Sequence, residues 1–409
     1  MTDMQMPRIA LELALGIALL HPARAQTFKL LYTFPGDENG GTPYGTMLWH
    51  DGKLYGTTFA GGVNNIDCLG ASVGNALGGS CGTVFEWDLK AGQETILHTF
   101  LGYPSDGCNP YAGVTRDSAG NFYGATYSCG VDVQGTIFKI DSAGTESVLH
   151  SFLGTDGEAP YGAVAVDSGG DLFGTTTRSS SGSDAGRLFK LDNAGNFTTI
   201  HALPEPFGAL HLKDDYVYGT TSGESASSPG AVFRVDIVTG KMTVLYKFTG
   251  GADGGSPLAG VIGDVAGNLY GTTPCGGSGQ CPDGNGVVFM LDASTGRETV
   301  LHTFTGAPDG ANPKAPLVRD SNGNLFGTTP VGGGVLCNGG TEGCGMVFEL
   351  APPAAPGGVW TETVLHNFTG VADGWLPFAG LALDSDGRLY GATSLGGAYN
   401  VGTLFEVTP

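Results

Sequence analysis

The segment FKLLYTF, residues 28 to 34, decides the fold of this chain. It resembles ETILHTF (94–100), ESVLHSF (146–152), ETVLHTF (298–304) and ETVLHNF (362–368), but each of those closes a longer repeat, whereas FKLLYTF stands ahead of the first one. A strand-like segment without a repeat of its own needs a partner elsewhere in the chain.

The repeat is marked by an aromatic-Gly-[TA]-Thr motif that begins at Tyr55, Tyr123, Phe173, Tyr218, Tyr270, Phe326 and Tyr390, at intervals of 45 to 68 residues. A period of this size suits four short strands per unit, as in a propeller blade. The fifth unit shows them most clearly: PLAGVIGD (257–264), LYGTT (269–273), GVVFMLD (286–292) and ETVLHTF (298–304) read as strands A, B, C and D. Between A and B, Asp264 can cap backbone N–H groups while Gly267 or Asn268 takes a positive φ, which makes a tight hairpin. Strand A carries small residues at one register, Thr46, Gly113, Ala163, Ala209, Gly260, Pro316 and Gly380. Strands converging on an axis have no room for bulk, so A is innermost and D, with Ile96, His98 and Phe100 alternating, is at the rim. Six units hold all four strands; the seventh ends at GTLFEVT without a D strand. FKLLYTF fills that vacancy. The expectation is an all-β, seven-bladed propeller of four-stranded blades, closed by the N-terminal strand in the last blade.

Residues 1–25 read as a secretory signal, with Arg8, the apolar run 9–20 and ARA before Gln26, and residues 26–409 as the propeller. The run is too short to span a bilayer, so no stable membrane insertion is expected after cleavage. The composition of 72 glycines, 22 prolines and 41% hydrophobic residues is that of a strand-and-turn protein able to bury a core. A net charge of -21 without a basic cluster excludes nucleic acid as a partner. The eight cysteines fall into neighbouring pairs, Cys68 with Cys81, Cys108 with Cys129, Cys275 with Cys281 and Cys337 with Cys344. An even count in an exported chain reads as disulfides; without a CxxC or a nearby histidine, zinc is disfavoured. A blade-2 hairpin turning at Ala119 brings Cys108 to Cys129, and the other pairs fall in B-to-C loops.

The combined pattern D..GNLYGTT, GG, GTVF.L and TVLH.F.G..DG..P.AG resembles the GloVer tandem-repeat family of bacterial secreted or surface proteins over nearly all of residues 28–408. The resemblance implies export and a propeller-like fold, and brings no catalytic residues. Family members carry an anchoring segment after the repeats that this sequence lacks, so the expected location is secreted or periplasmic, with cell-surface association resting on the resemblance alone.

His98, His150, His201, His302 and His366 share one repeat column with Tyr32 and Tyr246, which assigns them to packing or inter-strand hydrogen bonding. His211, on an inner strand, is the histidine kept as a catalytic candidate. The D-to-A loops repeat an Asp-Gly or Asn-Gly at Asn39, Asp106, Asp156, Asp253, Asp309 and Asp373. No cofactor is expected; Asp106, Asp156, Asp253 and Asp309 are read chiefly as turn residues and secondarily as Ca²⁺ ligands. Tyr44, Tyr111, Tyr161, Phe207 and Phe378 follow the strand-A proline and either pack blades or ring the mouth of the axis as a stacking surface for sugars. Symmetry breaks at Lys314, Trp375, Arg178 and Tyr399, which with Asp373 form the ligand-binding expectation on the face carrying the long loops. No GxSxG, HExxH, P-loop or dinucleotide motif occurs. Two functions remain. One is a monomeric extracellular binding module for a glycan or protein; the other is a polysaccharide lyase or glycoside hydrolase on the same face. Fold alone does not choose between them.

Overall fold

The computed structural model describes residues 26–63, 68, 80–180, 186–223, 228–334, 336–337, 343–355 and 357–409. The leader assigned to residues 1–25 lies outside these, as does most of the segment between Phe59 and Cys81. Seven four-stranded antiparallel sheets form a seven-bladed β-propeller. Blade 5 runs Ile262–Gly263, Asn268–Thr273, Val287–Asp292 and Arg297–Thr303, so strands B, C and D match the sequence reading to within one residue. Blade 7 consists of Ala382–Leu383, Leu389–Thr393, Thr403–Thr408 and, outermost, Thr27–Thr33. That outer pair is antiparallel, with Thr27 opposite Thr408 and Thr33 opposite Thr403.

Two features depart from the sequence reading. Strand A is short: of residues 257–264 only Ile262 and Gly263 pair with strand B. The residues before them run instead against the neighbouring inner strands, so closely that a Cβ on Gly260 would lie 2.0 Å from the Ala209 carbonyl oxygen. The small column is therefore a backbone-to-backbone approach between blades. Strand D is bulged: Val84 faces His98 but Phe85 faces Ile96, which leaves Leu97 extra, and the same shift recurs in every C–D ladder. The regular alternation expected along D stops at this bulge, which adds twist to the rim.

The motif glycine has a specific task. In all seven blades it stands directly opposite a strand-C phenylalanine, as Gly56 does Phe85 and Gly271 does Phe289. The ring lies flat across the glycine, and a Cβ on Gly271 would sit 2.6 Å from Phe289 Cζ. These phenylalanines are fully buried. Each then meets the last residue of the preceding blade's D segment, edge to face: Phe34 with Phe85 at 5.3 Å, Phe100 with Phe138 at 5.1 Å, Phe368 with Phe405 at 5.1 Å. Blade 3 substitutes Leu203, packed in the cluster of Phe233. The hydrophobic core is accordingly seven clusters, one per seam between blades.

The A-to-B turn behaves as its sequence implies: Asp264 Oδ1 accepts from Asn268 N at 2.8 Å, and Gly267 has φ +92°. All four expected disulfides are present, with Cα separations of 5.0 to 5.3 Å. They fit an extracellular or periplasmic protein. Among the described residues no helix is long and apolar enough to cross a membrane.

Phe34 carries the same seam contact as its counterparts although it comes from the other end of the chain. Phe34→Ala is expected to cost about 3–5 kcal/mol in urea unfolding, the usual range for a fully buried phenylalanine. Deleting residues 26–34 strips blade 7 of its outer strand and should lower the melting temperature by well over the shift of any single seam variant. A truncated chain that melts like the full one would show that the ring does not depend on this strand.

Candidate functional site

Seven prolines, from Pro43 in blade 1 to Pro377 in blade 7, open the inner strands. The residue before each has a left-handed backbone although none is glycine: Thr42, Asn109, Ala159, Glu205, Ser256, Asn312 and Leu376 have φ between 42° and 58°. Such conformations are uncommon for side-chain-bearing residues and persist where surrounding structure enforces them. Here the enforcement spans two blades. Asn109 N donates to Cys81 O of blade 1 at 2.7 Å, and Asn109 O accepts from Tyr127 N of its own blade. The residue after each proline is thereby aimed at the axis.

These aimed residues are Tyr44, Tyr111, Tyr161, Phe207, Leu258, Lys314 and Phe378, and they form a collar around a cavity of about 700 Å³ whose wall is the small-residue column. Tyr111 is stacked between Tyr44 (5.2 Å) and Tyr161 (4.4 Å). Phe207 meets Tyr161 edge-on at 5.3 Å, and Phe378 lies 5.9 Å from Tyr44. Among the described residues Lys314 is the one charged side chain in the lining, its Nζ 5.4 Å from the Phe378 ring centre. Burial pulls its amine below the usual lysine range. The same burial raises the phenols of Tyr44 and Tyr111, and that of Tyr161 to about 12. At neutral pH the collar therefore offers neutral phenols, apolar ring faces and one ammonium group.

A second tier backs the first. Phe59 packs against Tyr44 and Tyr111, and Tyr127 against Tyr111. Arg178 Nη2 donates to Tyr127 Oη at 3.3 Å. Of the five ligand-binding residues expected from sequence, Lys314 lines the cavity and Arg178 reaches the collar through Tyr127. The other three gather on blade 7. Asp373 accepts from His366 Nε2 (3.0 Å) and Thr369 N (3.0 Å). Trp375 Nε1 donates to Asn400 Oδ1 at 3.4 Å, and Tyr399 is exposed. His211 does not line the collar cavity. It fills the space beside Gly263 of blade 5, and burial, then nearby Lys213, lowers its pKa. Sequence reading passed over Phe59 and Tyr127, the aromatic residues that directly follow the motif threonine in blades 1 and 2.

The repeat profile of the Gloeobacter/Verrucomicrobia repeat matches residues 69–210 and 201–336. This chain belongs to that family. No curated protein matches it. Its fold is shared with solved structures at low identity. An oligogalacturonate lyase in complex with manganese superposes with a TM-score of 0.53 at 12% identity, covering 93% of this chain and 92% of that one. A putative 6-phosphogluconolactonase from Bacteroides fragilis gives 0.50 at 13% identity, covering 79% and 85%. TolB from Acinetobacter baumannii gives 0.40 at 13% identity over 66% of this chain, which spans 57% of the TolB chain. The likeness to the lyase and the lactonase is one of fold alone.

At the rim, the histidine and aspartate columns that the sequence presents separately meet. His98 and Asp106 (3.1 Å), His150 and Asp156 (2.9 Å), His302 and Asp309 (3.0 Å) and His366 and Asp373 (3.0 Å) are hydrogen-bonded, and Tyr246 donates to Asp253 (2.9 Å). The aspartates also accept backbone N–H groups, such as Leu101 N on Asp106, which is the turn role expected of them. A third column faces these pairs from the next blade: Glu94, Glu146, Glu298 and Glu362 at four seams, with Phe28 stacked on His366 (3.7 Å) and Phe197 on His150 (3.9 Å) at two others. Glu94 accepts from Tyr32 Oη at 2.8 Å, yet its Oε1, like that of Glu298, is buried without a hydrogen-bond partner.

Burial, with Asp37 and Asp253 nearby, pushes the Glu94 and Glu298 carboxyls up to about 7. In the unfolded chain they titrate near 4.5. Between those values the folded state holds more protons, so these two groups stabilise least when ionised and the fold loses stability as pH rises through the window. In EDTA-containing buffer, a Glu94→Gln, Glu298→Gln variant should melt higher than the parent at pH 8 and equal it near pH 4.5. Parallel melting curves across that range would place the two carboxyls in water.

Proposed function

We propose that the propeller is an exported binding module whose ligand site is the collar-lined axial cavity, and that it takes a glycan segment carrying a carboxylate. One observation carries this reading: five aromatic rings and, among the described residues, a single lysine converge on one cavity. Sugar rings present apolar C–H faces that stack on tyrosine and phenylalanine, and aromatic side chains with a polar edge serve such surfaces at little entropic cost. Lys314 makes no ion pair among the described residues. A carboxylate brought beside it would gain a charge-assisted partner in a partly desolvated setting.

The lining also bears on chemistry. Among the described residues no aspartate, glutamate or histidine lines the cavity. Glycoside hydrolysis of the usual kind requires two carboxyl groups flanking the bond. Elimination from an acidic sugar needs a base that ionises near working pH, whereas burial drives the collar phenols away from it. These features favour binding over turnover. Four disulfides support export, since such bonds persist in oxidising compartments.

The test is a calorimetric or array screen of the purified chain against neutral and uronate-containing oligosaccharides, with unsaturated products and reducing ends followed in parallel. Binding without product is expected. Tyr111→Ala should weaken every glycan ligand at least tenfold, and Lys314→Met should weaken only those with a carboxylate. Product formation that Tyr111→Ala abolishes would establish an enzyme at the collar. A ligand protecting the A-to-B turns instead would move the site to the opposite face.

A further inference from the structure

We propose that two seams of the ring each bind a divalent transition-metal ion, one through His98, Asp106 and Glu146 and the other through His302, Asp309 and Glu362. In each group one ligating atom from every residue lies within 4.8 Å of the other two. The imidazole and aspartate donors are already 3.1 and 3.0 Å apart, the separation that two ligands of one ion adopt when each bond is about 2.0–2.2 Å. All six side chains are sheltered, the glutamates through their inward-facing oxygens.

The aspartates are oriented as metal-binding carboxylates usually are. Asp106 takes Gly107 N on Oδ1 and Leu101 N on Oδ2; Asp309 takes Thr305 N and Thr305 Oγ1 on Oδ2, which leaves Oδ1 facing His302. Such outer hydrogen bonds fix a ligand's direction without using all its lone pairs. The third ligand arrives from the next blade. Glu146 Oε1 and Glu362 Oε1 are shielded from solvent and have no hydrogen-bond partner, an arrangement that costs free energy unless a proton or a cation satisfies it. A cation also explains why three acceptor-rich side chains from two blades are gathered at one point.

Among the described residues only these two seams assemble all three donors. Elsewhere the set is broken by residue identity: Tyr32 and Tyr246 replace the histidine at two seams, Phe28 and Phe197 replace the glutamate at two, and blade 3 follows His201 with LPEP and has Met242 opposite. One imidazole with two carboxylates suits zinc, cobalt or manganese; Ca²⁺ prefers six to eight oxygens. The Ca²⁺ expectation on Asp106, Asp156, Asp253 and Asp309 thus narrows to Asp106 and Asp309 and changes its ion. Each ion would tie the outer strand and following loop of one blade to the outer strand of the next, away from the axial cavity.

The test uses the full chain after dialysis against EDTA, titrated with Zn²⁺ by calorimetry and with Co²⁺ by visible absorption. Two Zn²⁺ ions per chain are expected, with a raised melting temperature. Glu146→Gln and Glu362→Gln keep the shape and the His–Asp hydrogen bond. Each should remove one equivalent, and the double variant should weaken binding at least tenfold and lose the cobalt band. Glu94→Gln with Glu298→Gln, at the tyrosine seams, should retain both equivalents. No saturable uptake, or uptake that Glu146→Gln and Glu362→Gln leave unchanged, overturns the proposal.

Discussion

A phenylalanine ring laid across a glycine is the contact on which the rest of this ring depends. Strand C supplies the ring and strand B the bare Cα, and because no Cβ intervenes the ring can lie flat and present its face to the neighbouring blade. The next contact follows: an edge-on phenylalanine from the preceding blade, a geometry that adds about 0.5–1.5 kcal/mol beyond buried area. Replacing the glycine would lift the ring and break both contacts together. The motif is therefore a statement about the seam as much as about the strand that carries it.

The polar columns at the rim use the same periodicity for a different purpose. At six seams the column behind the bulge of strand D meets a loop aspartate or a residue from the following blade, with glutamate or phenylalanine at the third position; at the seventh, Met242 stands there. Stacking on a histidine and facing it with a carboxylate are interchangeable as packing. They are not interchangeable as chemistry. A buried carboxylate oxygen without a partner is a place where protons or cations act on stability, whereas a phenylalanine there is inert to both.

Sequence alone was enough for the blade count, the strand order, the pairing of cysteines and the position of FKLLYTF, because all of these are periodic within a repeat. It overextended strand A, since the residues of 257–261 answer to the backbone of a neighbouring blade rather than to their own sheet. It missed the bulge in strand D, which leaves no mark on composition. It listed the histidines and the aspartates as separate columns and passed over the glutamates that face them from the next blade. The collar was visible as an alternative, but the left-handed residue ahead of each proline was not: Thr, Asn, Ala, Glu, Ser and Leu all occupy it, and only the surrounding hydrogen bonds reveal the shared conformation.

The pairing of Thr27–Thr33 with Thr403–Thr408 bears on how the chain reaches this state. Within six blades every strand pairs with one made shortly before or after it, so those hairpins can form as the polypeptide emerges. Blade 7 alone joins segments separated by almost the whole chain. The entropy of closing so long a loop grows only with the logarithm of its length, but contacts between distant segments form slowly. Thr27–Thr33 must therefore wait for its partner until Thr403–Thr408 has been made, and during this interval the edge it will cover stands open to other chains.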